Sequence, residues 1–325
     1  MKFGKNNIVK TAAVFMLLSC AVFAYNPPPG GDALYSFTSP FMLSAERSSA
    51  GGPLYHVHPG HTGVNPALPA DEQRIVIDAA YTALIAPAQN KTYGQAFNIG
   101  GMIPSRYGVF TGVMQGAFVP LSDMLLKNSF TARVSYSKDI TDWLYVGLGA
   151  YGAFGDDWAA GADIGILYLP EKIGALPFIR KPRFAVSLTG MGKNFKPATI
   201  GLDGSANKIT SFPSVFTPHF GFAGTLFEIK YLSGGLSLDL SFPTFQNLVF
   251  DAGLQFLIAD TVRLSTGRQC NVREAWAKKN SWYPSVSLSV KFGFTTGDES
   301  ILSKKGWQQS EMIVSAAYRP LHAGI

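Results

Sequence analysis

Alternation is the feature that most constrains this chain. From Arg74 onward, apolar and polar residues alternate in one segment after another, so successive side chains of an extended backbone fall on opposite faces. In "NSFTARVSYSK", Phe130, Ala132, Val134 and Tyr136 share one face, and Thr131, Arg133, Ser135 and Ser137 share the other. "PSVSLSVKFGF" sets Val286, Leu288, Val290, Phe292 and Phe294 against Ser285, Ser287, Ser289 and Lys291. "GGLSLDLSF" and "RFAVSLT" repeat the pattern, while "WLYVGLGAYGAF" and "AAGADIGILYL" carry Gly and Asp163 on the second face. A helix, with its period of 3.6, cannot sort these residues by face, so the fold class is all-β.

A soluble sandwich turns such an apolar face inward and a membrane barrel turns it outward, so a single segment fits both. The segments taken together favour the barrel. Their apolar faces run for about 9 to 11 residues, the length a tilted strand needs to cross a bilayer. Their ends are aromatic, as at Trp143, Tyr145, Tyr168, Trp282 and Tyr283. Short turns such as "KDITD" and "GDD" contrast with long connectors at 192–217 and 267–282. Only 15% of residues are charged and the mean hydropathy is +0.14, so apolar surface is exposed without any helix to carry it. The expectation is a transmembrane antiparallel β-barrel over residues 73–325. About 13 segments alternate, and a barrel whose ends return to one side needs an even number. Fourteen strands are expected, with "ANKITSFPSV" or "DESILSKKG" hiding one, and 12 is the alternative.

The N-terminus supplies an export signal. Lys2, Lys5 and Lys10 lead into the apolar run 11–23, which closes on "AVFA" at Ala24, so residues 1–24 read as a cleaved signal peptide. Cleavage before Cys20 in "LLSC", with lipid on the thiol, is the rival processing. After cleavage at Ala24 only Cys270 remains, which excludes an internal disulfide. Export and a barrel together place the chain in the cell outer membrane, delivered by the barrel-assembly machinery and surrounded by outer-membrane lipid. The net charge of +6 is diffuse, with basic pairs at Arg180-Lys181 and Lys278-Lys279, so no nucleic-acid partner is expected.

Residues 25–72 lack alternation and are rich in Gly, Pro, Ser and Ala, the make-up of a hatch or plug that fills a wide barrel. Within "HPGHTGVNPALPA", Pro66 fixes its own φ and restrains Asn65, whose side chain can bond nearby backbone. An ordinary turn into the first strand is the other reading. His56, His58 and His61 have no carboxylate or Cys in their cluster, so no metal is expected and they read as hydrogen-bonded histidines of the segment. No G-x-S-x-G elbow is present, and His219 and His322 lack a triad context. The chain reads as a non-enzyme without a cofactor.

"SAERSSAGG" followed by "HTGVNPALPA" resembles the N-terminal hatch of the FadL-type long-chain fatty acid transporters, which carries an Asn-Pro-Ala motif just before the first barrel strand. Across its length the chain is similar to the treponemal FadL-like outer-membrane proteins. The resemblance implies a 14-stranded barrel with an N-terminal hatch and passive uptake of long-chain fatty acids or other hydrophobic small molecules. Asn65, Pro66 and Ala67 would then block the lumen and shift when ligand binds. The chain departs from the family in being shorter and in ending on "YRPLHAGI" without a terminal Phe.

"YGVFTGVMQGAFV", read as the third strand, breaks the pattern by being apolar on both faces. Gly108, Phe110, Gly112, Met114, Gly116 and Phe118 form one face and the candidate ligand path; Val109, Val113, Ala117 and Val119 form the other. The resemblance implies that this strand bends inward and leaves a lateral opening; alternatively the glycines make room for the hatch. Arg133, Arg183, Arg263 and Lys291 are candidate partners for a ligand carboxylate, although Asp163, Asp239 and Asp251 on equivalent faces offer structural pairing. Two other functions stay open. A non-transporting barrel acting as scaffold or surface-interaction protein would have a sealed wall and no apolar cavity, and a secreted β-sandwich binding module would extract without detergent.

Overall fold

The computed structural model describes residues 47–54, 57–86, 92–118, 128–155, 157–174, 177–193, 216–276, 284–295 and 309–320. Residues 1–46, with the expected signal peptide, Cys20 and the start of the expected hatch, lie outside them. So do His56, Val119, Lys278-Lys279, Trp282, Tyr283, His322, "ANKITSFPSV" and "DESILSKKG".

Thirteen strands form one sheet in chain order. They are β1 (Val76–Ala86), β2 (Thr92–Ser105), β3 (Gly108–Phe118), β4 (Ser129–Thr141), β5 (Leu144–Phe154), β6 (Trp158–Tyr168) and β7 (Arg180–Lys193), followed by β8 (Thr217–Ile229), β9 (Leu232–Ser241), β10 (Val249–Ile258), β11 (Val262–Asn271), β12 (Ser285–Thr295) and β13 (Gln309–Tyr318). Every neighbouring pair in this order is antiparallel. The all-β, antiparallel expectation holds, with thirteen strands among the described residues against the fourteen expected. The fourteenth rested on a closure rule and on segments outside the described residues.

The alternation resolves in one direction. The apolar set is exposed and the polar set is buried: Val134 is 62% exposed and Ser137 1%, Leu288 46% and Ser289 1%. A sandwich would cover the apolar face with a second sheet, whereas here all thirteen strands belong to one. Exposed aromatics mark both ends of the strands. Tyr107, Trp143, Tyr168 and Tyr231 stand at the end where β1 begins, and Phe118, Phe130, Phe154 and Trp158 at the other. Arg106 lies 4.5 Å over the Tyr107 ring and Lys230 5.0 Å from that of Tyr231, which adds cations to the aromatic rim.

Two features depart from a regular meander. Opposite Asp163 the β6/β7 register shifts between Ala162 and Ile164, and Gly190 takes a φ of 73° that disfavours any side chain. The Asp163 carboxylate accepts the Gly190 N–H at 2.8 Å, so the bulge keeps no orphan donor. Second, no ladder joins β1 to β13 over their described lengths. Their beginnings nonetheless approach, with Arg74 Nη1 3.0 Å from Glu311 Oε2.

Candidate functional site

Residues 47–54 and 57–72 lie against the buried, polar face of the sheet. The chain turns twice in short 3₁₀ segments, Pro59–Gly63 and Leu68–Asp71, each with a proline in its first turn, where no N–H is needed. Between them Asn65 is fully buried. Its Nδ2 donates to Ser49 O at 2.8 Å and to Ile166 O of β6 at 3.4 Å, and its Oδ1 accepts the Ala67 N–H at 2.9 Å. The side chain thus folds its own backbone and reaches the wall. Pro66 and Ala67 press on β5 where Gly147 leaves room, and Asn65 occupies the space that a Cβ at Gly165 would fill. Ala67 and Leu68 pack with Ala50, Tyr145, Leu167, Ala185 and Ala223, an apolar cluster on an otherwise polar face.

A second set of ties holds the start of the segment. Ser49 donates from N at 2.8 Å and from Oγ at 2.6 Å to Oδ1 of buried Asp239, whose Oδ2 lies 3.0 Å from His219 Nδ1. Arg47 faces Asp251 at 3.7 Å, Arg183 donates to Gly52 O at 3.1 Å, and Ser187 donates to Val64 O at 2.6 Å. Asn65, Pro66 and Ala67 form one buried turn, and Ser49, Ser187 and His219, which the sequence does not single out for this role, join Asp239 in the ties that hold the segment. Their one signal in the sequence is membership of the polar face.

The four expected cations do not converge. Arg133 pairs with Asp163 and lies 5.0 Å from the centre of the Tyr151 ring, Lys291 faces Glu311 at 3.6 Å, and Arg263 is buried on β11. Arg183 lines a cleft of 620 Å³ with the acids Asp71, Glu72 and Glu171, the cations Arg74 and Lys181, and apolar Val57 and Leu169. Desolvation raises the Asp71 carboxyl above its ordinary pKa while Arg183 draws it down, and the hydrogen bond that Arg74 donates to Glu72 raises Arg74 and keeps it cationic.

The third strand corrects the expected ligand path. Phe110, Met114 and Phe118 stand on the exposed face, at 53%, 57% and 44%, and Val109, Thr111 and Val113 face inward. β3 pairs with β2 and with β4 without a register shift, so it neither bends inward nor leaves a gap among the described residues. Nor do its glycines admit the segment. A Cβ at Gly112 meets nothing within 4 Å, Gly116 lies under the Phe97 ring, and Gly108 takes a φ of 146° after the Tyr107 turn. The glycines that accommodate residues 47–72 are elsewhere: Gly100, Gly147, Gly165, Gly221 and Gly235. Gly112→Val is therefore expected to leave folding intact and to raise stability by up to about 1 kcal/mol, from β-propensity and lost unfolded-state freedom. The thermal midpoint of heat-modifiable gel migration checks this, and a marked fall would mean that the outer face at Gly112 is occupied.

His58 and His61 are both buried, with ring centres 5.6 Å apart, and His58 N donates to His61 Nδ1 at 2.9 Å. Among the described residues no three His, Cys, Asp or Glu side chains gather as a metal site. No protein-family model and no curated protein matches this chain.

Proposed function

We propose that the chain is an outer-membrane β-barrel channel for passive uptake of long-chain fatty acids or other hydrophobic small molecules, with residues 47–72 as its hatch. The observation that carries this reading is the pairing of an exposed apolar face along all the strands with a polar inner face on which a buried segment is anchored. Strands of 10 to 14 residues carrying exposed Ile, Leu, Val and Phe suit a hydrocarbon slab. The aromatic ends suit its two interfaces. Closure would leave no backbone group unpaired in lipid. The Asn65-Pro66-Ala67 turn, seated against Gly147 and Gly165, supports the hatch. The 620 Å³ cleft has the size of a small-molecule site; Val57 and Leu169 offer contact to an alkyl chain, and the cations Arg74, Lys181 and Arg183 stand there among the acids Asp71, Glu72 and Glu171.

Deleting residues 25–70 is expected to leave a detergent-soluble, β-rich protein with higher conductance in planar bilayers, because the lumen loses its filling. Unchanged conductance would place the segment outside the pore. The unbroken pairing of β3 favours a second reading, a sealed non-transporting barrel that acts as scaffold or surface-interaction protein. Outer-membrane vesicles separate the two, since only the channel speeds arrival of a labelled fatty acid in the membrane.

A further inference from the structure

With β3 sealed on both sides, a hydrophobic molecule inside the barrel needs another way into the membrane. The strands follow one another in chain order and reverse direction at each step, so the first and the thirteenth run the same way. Their beginnings are clasped: Arg74 bonds Glu311 at 3.0 Å and Glu72 at 2.9 Å, and Lys291 adds a contact to Glu311 at 3.6 Å. Beyond the clasp, no ladder joins Val76–Ala86 to Gln309–Tyr318. Two open edges of this length cannot persist in hydrocarbon, where each unpaired backbone group costs several kcal/mol. Among the described residues no other strand is left to cover them, so the edges meet each other, and because they run in the same direction they meet as a parallel pair. Parallel pairing is less stable per residue than antiparallel, and the two strands of this junction are not consecutive in the chain, so no direct connection holds them together. It is the weakest line in the wall.

The cleft lies beside it. Arg74 and Glu72, two members of the clasp, line the same 620 Å³ space as Arg183, Val57 and Leu169. Outside, the two strands present Ile77, Tyr81 and Ile85 and, across from them, Met312, Val314 and Tyr318, all exposed. From these observations, and resting on the channel reading above, we propose that the β1/β13 seam is the lateral exit through which a long-chain carboxylate passes from the cleft into the outer membrane.

Counted five residues on from the clasped Arg74 and Glu311, Ala79 and Ala316 are both exposed on the apolar face and form the pair to be linked. In the full chain with Cys20 and Cys270 replaced by Ser, Ala79→Cys with Ala316→Cys is expected to form an intramolecular link by oxidation or with a short bismaleimide. The control joins Leu264→Cys to Leu288→Cys, which face each other across the paired β11/β12 junction. Transfer of a pyrene-labelled long-chain fatty acid is then followed in outer-membrane vesicles with a lipopolysaccharide outer leaflet. The seam link should reduce transfer to the protein-free rate, and reduction of the disulfide should restore it, while the control link leaves it unchanged. Failure of Ala79→Cys to link to any of Val314→Cys, Ala316→Cys and Tyr318→Cys by either reagent would overturn the proposal, because the edges would not meet. Undiminished transfer through a linked seam would overturn the exit and leave the channel standing. If the cysteine-free chain itself gives no transfer above protein-free vesicles, the channel reading fails and the exit with it.

Discussion

Gly147→Val displaces the Asn65-Pro66-Ala67 turn from the wall. A Cβ at Gly147 would overlap the Pro66 carbonyl and the Ala67 nitrogen, which are backbone atoms in a buried turn and cannot swing aside as a side-chain tip can. Once the turn moves, Ser49 O, Ile166 O and the Ala67 N–H lose their Asn65 partner. A buried polar group left unmade costs about 1–3 kcal/mol, so the loss is several kcal/mol unless water enters. Asn65→Ala tests the same contacts without the overlap and should lose about 2–4 kcal/mol for the same reason. The two variants differ in a second measurement. Gly147→Val should gain conductance and become sensitive to protease near residues 47–72, whereas Asn65→Ala keeps the backbone seated and changes mainly the thermal midpoint. Parent-like behaviour of both would show that the turn is not wedged against β5 and β6.

Asp163→Ala carries the other large effect. Asp163 is 1% exposed and serves two partners, the Arg133 guanidinium and the Gly190 N–H at the β7 bulge. Removing it strands a charge on the inner face beside Tyr151 and opens the donor at Gly190, which should cost about 3–5 kcal/mol. Replacing both members, Arg133→Met with Asp163→Leu, should recover much of that loss, because no uncompensated charge remains and only the Gly190 donor is unsatisfied. Chemical or thermal unfolding of single and double variants in detergent measures the recovery. A double variant no better than Asp163→Ala would assign the stability to the bulge, and Arg133 would count for little.

The strands were legible because a period of two needs no tertiary information. Phe130 to Tyr136 and Val286 to Phe294 declare one face by spacing alone. The compact turn at Asn65 was legible for a similar reason, since Pro66 restricts its neighbours whatever surrounds it. At β3 the spacing was equally clear, but with both faces apolar it could not tell which one looked outward, and the ligand path was set on the wrong side. Burial of Val109, Thr111 and Val113 decided that question, and burial depends on what the rest of the sheet and the segment against it cover, not on spacing within one strand. The glycines show the same division. Those of β3 attract notice at a spacing of four, yet the ones that admit the segment, such as Gly147 and Gly165, are marked only by what lies opposite them in space.

The sequence by itself determined the all-β class, the faces of the strands and a stiff, proline-bound turn ahead of them, because each follows from steric rules that act over a few residues. Tertiary structure alone decided that Ser49 bonds Asp239 across 190 positions, that Arg133 belongs to Asp163, and that Arg74 reaches Glu311 while β1 and β13 share no ladder. Those pairings depend on how a sheet of thirteen strands curls and where a segment lodges against it, and no local rule encodes the distance between residues so far apart in the chain.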